Sequence, residues 1–90
     1  MANVTITRHL QRFFPTLTNG EVPGTTVREV IDALERRHPG FASYIVDETG
    51  RLRRHVNIFV GDEPIHDRAA LSDALAPDAT VFILQALSGG

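Results

Sequence analysis

The chain has no cysteine among its ninety residues, which excludes disulfides, thiolate metal sites and a cysteine nucleophile. Any sulfur chemistry must use sulfur brought from elsewhere. It has no lysine either: all nine basic residues are arginine, so the only amine is the N-terminal one. Compositional bias explains that absence as readily as selection, but its consequence is chemical. Copies of the chain cannot be joined through side-chain amide bonds. No apolar run approaches the roughly 18 residues that cross a membrane. Val4 and Ile6 are interrupted at once by polar residues, so no signal segment is expected and the expected setting is the cytoplasm. A net charge of −2 gives no overall pull toward nucleic acid or anionic lipid.

What is present is ordinary for one soluble domain, with 42% hydrophobic and 22% charged residues. A chain this short buries only about two-thirds of its unfolded surface, which leaves little room for an enclosed active site. Val4 and Ile6 alternate with Thr5 and Thr7, the period of a half-buried strand. Asn19-Gly20 and Pro23-Gly24 signal turns, and residues 3–22 read as a hairpin with a weakly patterned second arm. Val27, Val30, Ile31 and Leu34 form one stripe of a helix over residues 26–38. Thr26 and Glu29 form a capping box at its start, and Arg36, Arg37 and His38 suit its negative end before Pro39-Gly40 stops it.

Phe41, Tyr44 and Ile45 are expected to make a short turn that closes the core, ahead of a loop over residues 47–50. A strand over residues 55–60 puts Val56, Ile58 and Val60 on one face and His55, Asn57 and Phe59 on the other. Residues 61–64 end it. Leu71 and Leu75 have the spacing of one or two helical turns before Pro77-Asp78, and the last strand, residues 80–87, is apolar on both faces and therefore central. This order of elements argues an α+β domain, one sheet wrapped across one helix. The domain is expected over residues 1–87, with residues 88–90 an untethered tail.

Few residues carry chemistry inside the domain. His9, His38, His55 and His66 have no metal-ligand spacing, so no metal site is expected. The adjacent acids Asp47-Glu48 and Asp62-Glu63 read as solvated turns. Arg51, Arg53 and Arg54, with Arg36 and Arg37, read as a charged rim or as a patch for an acidic partner surface. Ser43, Ser72 and Ser88 lie in no nucleophile-elbow context and no glycine-rich phosphate loop precedes the helix. An autonomous enzyme is not expected.

The helix segment TVREVIDALE (26–35), the strand segment RHVNIFVGDE (54–63) and a last strand running into Gly89-Gly90 resemble the MoaD and ThiS family of ubiquitin-like β-grasp sulfur carriers. Within that family the chain looks most like CysO-like and MoaD-like members. The likeness spans essentially the whole chain, and the terminal Gly-Gly is its specific part. With glycine near 7% of average composition, two in the last two positions arise by chance in about one chain in two hundred.

The resemblance implies a mixed β-grasp sheet, no bound cofactor, and a reactive carboxylate at Gly90, preceded by Gly89 and Ser88. That carboxylate is ionised at neutral pH and a poor electrophile, so it needs activation. The resemblance implies that a MoeB- or ThiF-like adenylating enzyme uses ATP to activate Gly90, after which sulfur replaces AMP and leaves a thiocarboxylate. It further implies a downstream synthase: a cysteine synthase, with a zinc peptidase of the JAMM type releasing product, or the large subunit of a molybdopterin synthase. Glycines without Cβ atoms can thread a narrow tunnel, and main-chain hydrogen bonds in a partner's groove offset the entropy lost.

Strand parity adds a docking surface. If Val4, Ile6, Val56, Ile58, Val60, Val81 and Ile83 face the helix, then Phe59, Phe82 and Leu84 emerge on the other face, with Leu87 nearer the tail, as a contact site for the adenylating enzyme. Two rival functions share the scaffold. A ubiquitin-like modifier would be joined through Gly90 to lysines of other proteins, and a plain β-grasp interaction domain would not need Gly89 and Gly90 at all.

Overall fold

Alternation along the strands and one helical stripe generate a single core. The computed structural model describes residues 1–12, 14 and 19–85. Along them run β1 (Ala2–Ile6), α1 (Arg8–Gln11), β2 (Gly20–Val22), α2 (Val27–Arg37), α3 (Phe41–Ile45), β3 (Val56–Val60), β4 (Glu63–Pro64) and β5 (Thr80–Gln85). The sheet order is β2-β1-β5-β3-β4, with β1 and β5 parallel and the other neighbours antiparallel. This is the expected α+β β-grasp sheet, and β5 is its central strand.

Two cross-strand rows make the inner face. Ile6, Ile83 and Ile58 lie side by side, as do Val4, Val81 and Val60. Against them pack the α2 residues Val27, Val30, Ile31 and Leu34, the α3 residues Phe41 and Ile45, and Leu10 of α1, all buried. Leu34 is 2% exposed, and its replacement by alanine should cost about 2–5 kcal/mol of stability by leaving a cavity, measured by denaturant unfolding.

The helix α2 begins as its sequence directs, with one change in detail. Thr26 Oγ1 accepts the N–H of Glu29 at 3.2 Å, but the Glu29 carboxylate returns to the N–H and hydroxyl of Thr25, at 2.7 and 2.8 Å. Thr26 itself lies opposite Ala74 in an isolated β-bridge. At the other end Gly40 takes φ 97°, which lets the chain reverse into α3, and Glu35 accepts the N–H groups of Gly40 and Ala42.

Three local expectations change. The first two strands pair antiparallel, but Asn19-Gly20 is not their turn. Gly20 already pairs with Val4, α1 lies in the connection, and the Asn19 side chain accepts the N–H of Ile6 at 2.8 Å. The segment 61–64 does more than end a strand, because Gly61, at φ 65°, turns the chain so that Glu63 and Pro64 pair with Val60 and Phe59 as an edge strand. Leu71 and Leu75 are both buried, but the chain between them makes no helix. A single turn closes where Leu71 donates to the Asp67 carbonyl and then takes φ 58°.

Asp67 holds that turn together. Its carboxylate accepts the N–H groups of Ala69, Ala70 and Ser72 and the Ser72 hydroxyl, and these bonds, the hydroxyl first, lower its pKa from 3.8 to about 2. The folded pKa is depressed, so the stabilisation is present above about pH 3.8 and is lost as pH falls toward about 2. Asp67→Asn should lower the thermal midpoint at neutral pH and flatten the fall in stability across that acid window, followed by thermal unfolding at a series of pH values.

Candidate functional site

The root of the tail is fixed by the strand register. β5 lies between β1 and β3, with Ile83 paired to Ile6 and Gln85 paired to Val56. Gln85, the last described residue of β5, therefore lies beside the segment that enters β3. Leu87, Ser88, Gly89 and Gly90 lie outside the described residues, and so does the expected continuation of the last strand beyond Gln85.

The outer face of the sheet carries the predicted side chains in two neighbouring rows. Thr5 of β1 is paired with Phe82 of β5, Phe82 with Phe59 of β3, and Phe59 with Pro64 of β4. Leu84, two residues beyond Phe82, is paired with Asn57. Paired residues share a face, so Phe59, Phe82 and Leu84 lie together, opposite the buried Ile58, Val81 and Ile83. All three are half-buried. The apolar surface lies next to the last described residue of β5.

The arginines assemble differently from their order in the chain. Arg51, Arg53 and Arg54 do not join Arg36 and Arg37. Arg37 donates to the Glu21 carbonyl at 3.1 Å, and Arg36 lies in a separate depression with Pro23, Gly24, Glu29 and Asp32. Instead Arg51, Arg53 and Arg54 line an open groove of about 860 Å³ with Arg68, His55 and His66. Arg68, distant in sequence and not singled out there, reaches the carbonyls of Arg53 and Val56 at 2.8 and 2.9 Å.

The described residues assemble no metal centre. No group of three or more His, Asp or Glu side chains there could hold a metal ion. Asp47 turns its carboxylate onto Thr49 and the N–H of Arg51, which holds its pKa below the usual range, the Thr49 hydroxyl contributing most. His66 stands 3.9 Å from Asp73, whose carboxylate is held low first by the His66 N–H. No helix among the described residues is long and apolar enough to cross a membrane.

The fold and the tail root can be set beside known proteins. The ThiS family profile matches residues 6–90. The chain belongs to the ThiS family. Over 69 residues, 74% of each protein, it is 38% identical to the sulfur carrier protein CysO of Mycobacterium tuberculosis. The structure superimposes on CysO from its complex with BexX of Amycolatopsis orientalis with a TM-score of 0.85, at 32% identity over 100% of both chains. It also superimposes on the small archaeal modifier protein 1 of Methanosarcina acetivorans with a TM-score of 0.79, covering 99% of this chain and 95% of that one. At 21% identity, that last likeness is one of fold alone. By family this is a small sulfur-carrier protein, not itself an enzyme.

Proposed function

We propose that the chain carries sulfur as a thiocarboxylate on Gly90 and that its receiving pathway is cysteine synthesis. The observation that carries this reading is the ThiS family match running through Gly90, together with 38% identity to proteins named sulfur carrier protein CysO. The pathway rests on that second likeness, with the molybdopterin branch as the rival destination.

The steps balance with reagents of ordinary chemistry. A Gly90 carboxylate oxygen attacks the α-phosphorus of ATP in a MoeB- or ThiF-like enzyme, and pyrophosphate leaves. Sulfide then adds at the acyl carbon, and AMP departs with the original oxygen. The product is a thiocarboxylate, ionised and nucleophilic at neutral pH, available to a cysteine synthase. A zinc peptidase of the JAMM type would free the product from the tail.

The domain contributes recognition rather than catalysis. Phe59, Phe82 and Leu84 offer the enzyme an apolar face, and Leu87, Ser88 and Gly89 are the residues of the tail that it would bind ahead of the reactive carboxylate. No cofactor need reside on the carrier, because ATP is bound by the enzyme. Pyrophosphate release with the adenylating enzyme of the same host tests the first step. Release that requires both the carrier and its Gly90 supports the reading; no carrier-dependent release with any such enzyme sinks it.

The modifier reading shares that first step and differs in the acceptor. Mass spectrometry of host extracts separates the two: Gly90 linked to lysines of other proteins would favour the modifier, a free thiocarboxylate the carrier.

A further inference from the structure

The groove of Arg51, Arg53, Arg54 and Arg68 holds four of the nine arginines of a chain whose net charge is −2. Its two acids, Asp47 and Asp67, offset half of that charge and leave the groove net positive. Their carboxylates bond to the backbone and hydroxyl groups of their own turns, and no arginine ion pair occurs among the described residues. Arg53 and Arg68 are held in place by carbonyls of Ser43, Arg53 and Val56, which fix them without removing charge. Arg51 and Arg54 are exposed.

Position gives this charge a direction. His55 and Asn57 line the groove and flank Val56, whose partner across the sheet is Gln85, the last described residue before the tail. Asn57 is also paired with Leu84 of the apolar face. Groove, apolar face and tail root are therefore neighbours at one end of the sheet.

We infer that this groove receives an acidic segment of the protein that activates the tail, so that positive charge orients the carrier with Gly90 leading. The inference rests on the proposed activation of Gly90 and adds the chemistry of the surface that recruits the enzyme. A compact cationic site on an otherwise acidic protein speeds encounter with an anionic partner and sets its orientation, an effect that salt screens. Nucleic acid fits less well, since the remaining surface is net negative.

Charge reversal tests it without touching the tail or the apolar face. Arg51→Glu/Arg54→Glu, both at exposed positions, should slow association with the host's MoeB- or ThiF-like enzyme on the order of tenfold at low ionic strength, read by stopped-flow fluorescence. The difference should vanish at high salt, and the yield of adenylate at saturating enzyme should stay unchanged. Arg36→Glu, outside the groove, should associate like the wild type. Equal rates for the double variant and the wild type at every salt concentration, with activation intact, would overturn the groove and leave the function standing. A wild-type chain that is never activated would overturn the function itself.

Discussion

Deleting Gly90 should abolish adenylation while leaving the thermal midpoint of the domain unchanged. One residue of extended chain spans about 3.3–3.6 Å, so the truncated tail presents its carboxylate that far short of the position at which it meets the nucleotide. Misplacement of a reacting group by roughly 1 Å can cost about a hundredfold in rate, and a shift of this size should remove the reaction from view. Stability should not change, because the inner rows of β5 end with Ile83 and the described core needs nothing beyond it. Pyrophosphate release and a melting curve on the same preparation measure both halves of the expectation. Activity surviving the deletion would move the chemistry away from Gly90.

Leu84→Asp should produce the second large effect, a loss of activation in a domain that remains folded. Leu84 is half-buried on the outer face, paired with Asn57 and clear of the inner row that contains Ile83. Burying what this half-buried leucine still exposes contributes only part of the roughly 1.5–3 kcal/mol of full burial, and a carboxylate placed there adds a desolvation cost of about 1–3 kcal/mol. The Michaelis constant for the carrier should therefore rise on the order of 10- to 100-fold or more, with a smaller change at saturating carrier. The cost to the fold should stay near the roughly 1 kcal/mol range of strand propensities. Circular dichroism and titration of the carrier against the adenylating enzyme separate the two. A variant that unfolds would show Leu84 to be structural.

These effects trace to features that the sequence displays unevenly. Local patterns survive folding well: the stripe of Val27, Val30, Ile31 and Leu34 and the alternation of Val56 with Ile58 each define a buried face without information from elsewhere. Parity then placed Phe59, Phe82 and Leu84 on the opposite face, where the pairings Phe59 with Phe82 and Asn57 with Leu84 put them. The features that escaped depend on distant partners. Asn19-Gly20 has the composition of a tight turn, yet Asn19 serves β1 by accepting the N–H of Ile6, thirteen positions away. β4 is a two-residue edge containing proline, too short for any period to show. The turn before Leu71 is held by the Asp67 side chain, whose bonds have no hydrophobic signature.

The basic groove illustrates the same division. Arg51, Arg53 and Arg54 stand out as a cluster, but their natural companion is Arg68, which binds the backbone on either side of the entry to β3. Charge alone groups them with Arg36 and Arg37 instead, and the fold turns those elsewhere. A single cation flanked by Asp67 and two alanines gives no sign in sequence of where its guanidinium will rest. The absence of lysine, in contrast, is legible only in the sequence, and it leaves the chain no side-chain amine through which copies could be joined.

The intact mass of the protein, taken after incubation with ATP, its host's adenylating enzyme and sulfide, tests the central claim most directly. The account predicts a shift equal to exchange of one oxygen for one sulfur, confined by fragmentation to Gly90 and absent from the chain lacking that residue. An unchanged mass with every adenylating enzyme of the host, or sulfur located anywhere other than Gly90, would contradict it.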